Sequence, residues 1–250
     1  MFDLAFITIV VTVIIIFAAS MLKGITGFGF ALIAVPLLSL IFPMSMLVPA
    51  FALFNVVTSA YILFGLKEKA KWYYIVPMFI ASLGGIPLGI YALEFMHEDT
   101  LKIITGIIVI IFSLKLLKGV GLAKKRIKLP VFFAGFLSGI LTSSVSIGGP
   151  PLVIAMSRKG YNKEIFRGIF SWFTVFTSLF ASVAFYVRGF LTPETIKFTA
   201  FALPLLILGS GWGNKIAQKI HQEQFRKLVI YVNVITGLII IITSLLTKQP

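Results

Sequence analysis

Long apolar segments separated by short charged segments dominate the chain. Most of these segments approach or exceed the roughly 20 residues that a membrane-spanning helix needs. They are, in order, Leu4–Leu22, Gly24–Leu66, Trp72–Leu93, a shorter run within 101–117, Leu129–Ser157, Gly168–Val187, Phe198–Asn214 and Leu228–Thr247. None alternates apolar and polar residues over ~10 positions, as the strands of a membrane barrel do. The pattern predicts an all-α integral membrane protein.

The two longest apolar segments contain helix-breaking residues at similar places. The first holds three glycines between Gly24 and Gly29, followed by Pro36, and the second holds Gly148 and Gly149 followed by two prolines. Glycine costs a helix roughly 1 kcal/mol and proline roughly 3 kcal/mol. Backbone groups freed inside a membrane must be buried in protein or line a wet cavity. We therefore expect two broken helical segments around such a cavity.

The chain also repeats itself weakly. Gly29 aligns with Gly149 at an offset of 120 residues, Thr58-Ser59 aligns with Thr177-Ser178 at 119, and Gly85, Gly89 and His97 align with Gly209, Gly213 and His221 at 124. These anchors predict two repeats, residues 1–118 and 131–250, joined by a basic linker at 119–130. Each repeat is expected to contain a broken, hairpin-like helical segment and three transmembrane helices.

Composition supports the membrane assignment. Apolar residues make up 59% of the 250 residues and charged residues 12%, against roughly 45–50% and 25% in soluble domains. No basic residue precedes the first apolar segment, so we expect a retained helix and not a signal peptide. Cysteine is absent and the two histidines lie far apart. The sequence therefore predicts neither a metal site nor a cofactor.

The net charge of +14 comes from basic clusters between the apolar segments. This placement favours membrane topology over nucleic-acid binding, because basic loops tend to face the cytoplasm. It predicts a cytoplasmic central linker, both termini outside the cell, and two halves threaded in opposite directions. Inverted repeats with broken helices are typical of secondary transporters, whose substrate lies where the repeats meet. A duplicated membrane protein without a transport role is the structural alternative.

New helices are expected to begin near Gly29 and near Pro151, and their N-termini would bind an anion through free N–H groups and the positive end of the helix dipole. Hydroxyls near the breaks, including that of Thr142, add hydrogen-bond donors, and aromatic residues would wall the cavity. The candidate substrate-binding residues are Thr26, Gly27, Phe28, Gly29, Asn55, Ser143, Ser144, Ser146, Gly148, Gly149, Pro150, Trp172 and Thr174. For Gly24, Gly135 and Gly139 we favour close helix packing instead.

Three basic residues near the breaks have two interpretations each. Lys23 either extends to the membrane interface, which we favour, or attracts an anion at the mouth of the site. For Arg158 and Arg167 we favour a role in setting the membrane topology, and a role as gates of the site is the alternative. The predicted spans contain no deep Asp or Glu, so proton coupling through a buried carboxylate is not supported. With so little charge inside, an anion is expected to be held by helix ends, glycine backbone and hydroxyls.

Two segments resemble the signatures of a known family. The run from Lys23 to Pro36, KGITGFGFALIAVP, and the run from Gly135 to Pro151, which ends SIGGPP, are similar to those of the sulfite exporter TauE/SafE family of membrane transporters. By this resemblance the family's motif glycines and prolines fall on Gly24, Gly27, Gly29, Pro36, Gly139, Gly148, Gly149 and Pro150. The Pro150-Pro151 pair departs from the family pattern.

The resemblance implies a transporter, not an enzyme, that exports sulfite, sulfoacetate or other organosulfonates through the cell membrane. Its partners would be a small anion and the lipid bilayer. An anion channel of the same architecture and a non-transport scaffold are the alternatives. The substrate, the coupling ion and the oligomeric state are left open by the sequence.

Overall fold

A computed structural model describes residues 2–66, 71–117, 130–156, 163–216, 234–235, 237–239 and 241–245. Every regular element in these ranges is helical. The helices are α1 (Phe2–Thr26), α2 (Phe30–Leu38), α3 (Met44–Phe64), α4 (Trp72–Phe95), α5 (Glu98–Leu117), α6 (Val131–Val145), α7 (Gly149–Met156), α8 (Lys163–Val187) and α9 (Pro193–Ile216). Most of the predicted basic linker, and half of the last predicted span, lie outside the described residues.

Five of the described helices are long and apolar enough to cross a bilayer. They are Phe6–Thr26, Met44–Phe64, Trp72–Phe95, Glu164–Val187 and Pro193–Ile216. The fifteen-residue α6 is apolar but shorter. Large apolar side chains on the outer surfaces, such as Phe64 and Tyr73, are exposed, as lipid-facing residues are. The all-helical, multi-pass membrane class predicted by the apolar runs is therefore confirmed.

Both predicted helix breaks are present. The first lies between Thr26 and Phe30 and the second between Val145 and Gly149. Each spans three residues, and the two lie 119 residues apart, one fewer than the offset of 120 used for Gly29 and Gly149. The third residue of the first break, Gly29, therefore corresponds to Gly148.

Left-handed backbone ends both of the preceding helices. Gly27 has φ of 85° and Ser146 has φ of 58°, at equivalent places in the two breaks. Glycine adopts this region without steric cost, whereas a serine there is uncommon. Ser146 is accommodated in a helix-ending motif, in which its N–H donates to Thr142 O and the Ile147 N–H donates to Leu141 O. Both breaks thus stop the helix in the same way.

The helix after the second break begins earlier in the chain than the sequence predicted. Proline was expected to interrupt the segment, with the new helix beginning near Pro151. Instead α7 begins at Gly149 and carries Pro150 and Pro151 in its first turn. Proline is tolerated there because first-turn N–H groups have no partner within the helix. The interruption is made by residues 146–148, and the prolines begin the next helix.

The helices pack in matched pairs across the two halves of the chain. α1 packs along α9, α6 packs along α4, and α3 packs along α8. Glycines make the closest approaches. A Cβ on Gly85 would lie 2.2 Å from Phe136 O, and one on Gly209 would lie 2.8 Å from Phe17 O. Because each half supplies helices to the other, the two predicted repeats interlock rather than form separate domains.

The packing interpretation of Gly24, Gly135 and Gly139 is confirmed. A Cβ on these residues would lie 2.3 Å from Ser210 O, 2.2 Å from Met78 O and 2.5 Å from Ser82 O, respectively. Backbone atoms cannot move aside as side-chain ends do. The repeat boundaries at 118 and 131 fall at the edges of the described residues and stay a prediction.

Neighbouring glycines of α4 allow a matched test of this packing. Gly85→Ala places a methyl 2.2 Å from Phe136 O, whereas Gly84→Ala meets only the Phe136 ring, at 3.6 Å. We expect Gly85→Ala to destabilise the protein by about 1–3 kcal/mol through overpacking. Gly84→Ala should be neutral or slightly stabilising, because alanine favours the helix. Thermal unfolding in detergent, followed by tryptophan fluorescence, measures both. Equal midpoints for the two variants would contradict the close α4–α6 contact.

Candidate functional site

A cavity lies where the two breaks meet α3 and α8. Its walls include the start of α2, the start of α7, and side chains from α1, α3, α6 and α8. Ten residues named from the sequence line it: Lys23, Phe28, Gly29, Asn55, Thr142, Ser146, Gly148, Gly149, Pro150 and Thr174. The two breaks, 119 residues apart in sequence, therefore share one cavity. Whether substrate binds there stays a prediction.

The cavity is small and lies among largely buried side chains. Its volume is about 40 Å³, which exceeds the roughly 10–15 Å³ that one water needs. Phe30, Phe173 and Leu152 on its walls are almost completely buried. Phe28 covers one side and packs against the rings of Phe166 and Phe170, with centroids 5.9 and 5.7 Å away. This space suits a small ion with few waters.

Lys23 is the dominant charge in the cavity. It projects from the last turn of α1, and only 1% of its surface is exposed. Its Nζ donates to Asn55 Oδ1 at 2.6 Å. A side chain this deeply buried does not extend to the membrane interface, so the preferred interpretation of Lys23 was wrong. The ammonium instead lies beside Asn55 in the lining of the cavity.

The positive charge of Lys23 has no carboxylate partner in the cavity. Among the described lining residues none is Asp or Glu, and Asn55 is neutral. An ammonium carries three donors, of which Asn55 accepts one. An unpaired buried charge is costly, so a bound anion would stabilise this arrangement. The sequence predicted a site made of helix ends, glycine backbone and hydroxyls only. The presence of Lys23 in the lining corrects that prediction.

Hydroxyls complete the polar lining. The Ser178 Oγ is fully buried and has no hydrogen-bond partner among the described residues. Thr174 and Thr177 lie on the same face of α8, and all three line the cavity. Thr177 and Ser178 served only as anchors of the repeat in the sequence and were not predicted as lining residues. Their spacing of three and four residues from Thr174 was the available signal, because such positions share one helix face.

The N-terminus of α2 also borders the cavity. Phe30 and Ala31, its first two residues, line the cavity. Their N–H groups donate to no carbonyl among the described residues, as expected of a first helical turn. α7 offers fewer such donors, because Pro150 and Pro151 carry no N–H. Backbone donation to a ligand is therefore concentrated at the first break.

Three predicted hydroxyls serve the protein's own backbone instead. Thr26 Oγ1 donates to Leu22 O at 2.9 Å and accepts from the Phe28 N–H at 3.2 Å. Ser143 Oγ donates to Ile86 O at 2.9 Å, which joins α6 to α4. Ser144 Oγ donates to Ile140 O. None of the three lines the cavity.

Arg167 closes the end of α1 from outside the cavity. Its guanidinium is 6% exposed, and one nitrogen donates to Gly24 O and to Asn214 Oδ1, both at 2.9 Å. Its side chain passes so close to Gly27 that a Cβ there would lie 2.7 Å from Arg167 Cγ. Gly27 thus gives room to Arg167 and does not contact the cavity. Arg167 is a second buried cation, and a topology signal does not describe its position.

Trp172 and Arg158 are the remaining predictions. Trp172 faces away from the cavity, in an aromatic cluster with Trp72 and Phe176, whose ring centroids lie 5.1 and 5.6 Å away. Arg158 lies outside the described residues. In the described parts of the chain no cluster of three or more His, Cys, Asp or Glu residues could hold a metal ion.

Comparison with known proteins agrees with this architecture. The sulfite exporter TauE/SafE family matches residues 12–240, which include both breaks. The chain belongs to the sulfite exporter TauE/SafE family. A relative from Cupriavidus necator, described as a probable sulfite/organosulfonate exporter TauE, is 23% identical over 205 residues, covering 79% of this chain and 80% of its own length. No solved structure gives a significant match.

The TauE/SafE family is an exporter family. The several apolar helices of this chain agree with membership of it. The resemblance seen in the two glycine-rich segments is therefore confirmed. Of the glycines carried over by that resemblance, Gly29, Gly148 and Gly149 line the cavity, whereas Gly24 and Gly139 allow helix packing. The same motif thus serves both purposes.

Arg167 offers a stability test with a surface control. Arg167→Leu leaves Gly24 O and Asn214 Oδ1 without their donor, and we expect a loss of about 1–3 kcal/mol. Arg188→Leu removes an exposed pair with Glu94, at 3.1 Å, and should change stability by less than about 1 kcal/mol. Thermal midpoints in detergent compare the two. A midpoint for Arg167→Leu equal to that of Arg188→Leu would show that Arg167 does not hold the end of α1.

Proposed function

We propose that this protein is a secondary transporter that exports small sulfur-containing anions, such as sulfite, sulfoacetate or other organosulfonates, across the cell membrane by alternating access. Its family and its relative from Cupriavidus necator support this activity. The observation that carries the proposal is the buried Lys23 ammonium, which has only a neutral protein partner in the cavity between the two breaks.

The polar groups around the cavity suit a sulfonate or sulfite head group. The Lys23 ammonium supplies a charge-assisted donor, and such hydrogen bonds are about twice as strong as neutral ones. The free N–H groups of Phe30 and Ala31 supply backbone donors at a helix N-terminus, where negative charge is favoured. Ser178 and Thr174 supply hydroxyls on the opposite wall. A tetrahedral or pyramidal oxyanion has several acceptors and would bind several of these donors together.

The cell's electrical potential supports export. An inside-negative potential is worth about 2.3 kcal/mol per charge per 100 mV. An anion leaving the cell therefore moves with the field, and electrogenic export needs no further energy source. A basic cytoplasmic surface would raise the local concentration of anions at the inner entrance. The proposed topology, with a cytoplasmic central linker and both termini outside, gives such a surface.

Matched packing supports an inverted-repeat architecture. In the two halves, α1 corresponds to α6, α3 to α8 and α4 to α9. A superposition of the halves would therefore place the α1–α9 contact on the α6–α4 contact, and the α3–α8 contact on itself. Two close contacts also correspond, since Gly89 lies against Ile140 O and Gly213 lies against Met21 O. The two glycines are 124 residues apart, and Met21 and Ile140 are 119 residues apart. This exchange is what a two-fold axis between the halves would produce. Repeats related in this way are a common basis of alternating access.

Aromatic packing around the cavity favours a carrier over a channel. Phe28, Phe170 and Phe173 line it, and Phe30 packs against the Phe51 ring, with centroids 5.1 Å apart. A channel needs a continuous wet path, whereas a carrier passes through states in which the substrate is sealed from both sides. In our proposal these rings form part of the seal.

Transport by reconstituted protein tests the proposal directly. We expect purified protein in liposomes to transport sulfite and methanesulfonate, and Lys23→Met to reduce the initial rate at least about tenfold, since it removes a charge-assisted bond. Lys102→Met is the matched control, because Lys102 pairs at 2.8 Å with Glu98 on α5, away from the cavity. Radiolabelled or fluorescence-coupled uptake measures both. Equal rates for the two variants would remove Lys23 from the site, and no flux of any sulfur anion would remove the proposed function.

Counterflow tests the carrier mechanism. With alternating access, the uptake rate should saturate with substrate, and unlabelled substrate inside the liposomes should accelerate the uptake of labelled substrate. This follows because the loaded site returns faster than it reorients empty in an exchanging carrier. A current that rises linearly with concentration, without acceleration by internal substrate, would establish a channel instead.

A further inference from the structure

The polar lining of the cavity consists of positions that correspond in the two halves. At the offset of 119 residues set by the helix breaks, Lys23 corresponds to Thr142 and Asn55 corresponds to Thr174. All four line the same cavity. The two halves therefore place their side chains around one site from equivalent positions.

Other parts of the structure support this correspondence independently. Gly29 and Gly148 correspond at the same offset, and both line the cavity. Ser59 and Ser178 also correspond, and the hydroxyls of both are buried without a partner among the described residues. The equivalence of Lys23 and Thr142 thus rests on the backbone breaks, the glycines and the α3–α8 serines together.

The chemistry of the two halves differs at these positions. The first half contributes an ammonium and an amide, whereas the second contributes two threonine hydroxyls. Lys23 is 1% exposed and Thr142 is 7% exposed, so neither is screened by bulk water. Among the described lining residues, Lys23 carries the positive charge and none carries a negative one. Lys23 is therefore the one cationic side chain among the described lining residues, and it lies on one side of the cavity.

The helix ends add only partial charges to this full charge. Each break brings together the C-terminus of one helix and the N-terminus of the next, and their dipole charges have opposite signs. A singly charged anion would neutralise Lys23. A doubly charged anion of the same size would leave one negative charge unpaired among largely buried side chains, which is unfavourable.

We propose that this cavity selects singly charged oxyanions over doubly charged ones, and that the asymmetry between Lys23 and its counterpart Thr142 sets this selectivity. The inference rests on the proposed function, since it concerns the same site. It favours simple monosulfonates and hydrogensulfite over sulfoacetate, which carries a second charge on its carboxylate. The aromatic wall of Phe28, Phe170 and Phe173 accommodates the apolar substituent of a monosulfonate.

Methanesulfonate and sulfate are suitable probes, because they are similar in size and shape and differ by one charge. For the unmodified protein in liposomes at neutral pH, we expect methanesulfonate transport at least about tenfold faster than sulfate transport. Methanesulfonate should also raise the thermal midpoint of the detergent-solubilised protein, and sulfate should not. Equal transport of the two anions together with equal thermal shifts would overturn the proposal without any variant.

Moving the charge between corresponding positions tests the role of the asymmetry. Lys23→Thr should lose methanesulfonate transport, and the double variant Lys23→Thr, Thr142→Lys should regain most of it, because the charge returns to the same cavity from the other half. Thr142→Lys alone adds a second charge and should shift the ratio of rates toward sulfate by about tenfold. Thr174→Lys replaces Thr142→Lys if the latter is not monodisperse in size-exclusion chromatography.

These outcomes separate two kinds of failure. If the unmodified protein transports neither sulfite nor methanesulfonate, the proposed function fails. If it transports both, but the ratio of methanesulfonate to sulfate is unchanged in Thr142→Lys and the double variant is as inactive as Lys23→Thr, the proposed function stands and the charge selectivity is wrong. Restored transport in the double variant would also argue against a purely structural role for Lys23, since its own position would then be occupied by threonine.

Discussion

Interrupting a helix inside an apolar bundle frees backbone groups that lipid cannot satisfy, and much of this structure responds to that constraint. At the first break Arg167 donates to Gly24 O, and Thr26 accepts from the Phe28 N–H. At the second break Ser138 donates to Gly148 O at 2.6 Å, and Ser146 donates to Val48 O at 3.2 Å. The helix ends are thus held by side chains, and Phe30 and Ala31, at the start of α2, line the cavity.

Close helix packing makes these interruptions tolerable. Glycines bring α4 against α6 and α1 against α9 at backbone distance, which buries the broken segments between long helices. Packing by small residues is effective in membranes, because lipid provides no hydrophobic driving force between helices. The glycine motifs therefore have two functions, which are to shape the breaks and to allow the neighbouring helices to enclose them.

Lys23 and Arg167 show how two buried cations can serve different purposes. Arg167 donates to a helix carbonyl and to Asn214, so its planar group is used to join α1, α8 and α9. Lys23 has only the Asn55 oxygen and a cavity beside it. A charge in such a place is destabilising for the protein alone, and this cost is understandable if an anion occupies the cavity during function. The cavity's counterpart positions, Thr142 and Thr174, add donors without adding charge.

The sequence by itself determined the all-helical membrane class, the two breaks, the packing glycines and the family, because these depend on local apolar length, glycine and proline chemistry and motif spacing. It also identified ten of the residues that line the cavity. It did not distinguish Ser146, which lines the cavity, from Ser143 and Ser144, which do not, because the direction of each side chain depends on where the helix ends. The buried positions of Lys23 and Arg167 were decided only by tertiary packing. A basic residue at the edge of an apolar run can face either water or the protein interior, and only the neighbouring helices α3, α8 and α9 determine which.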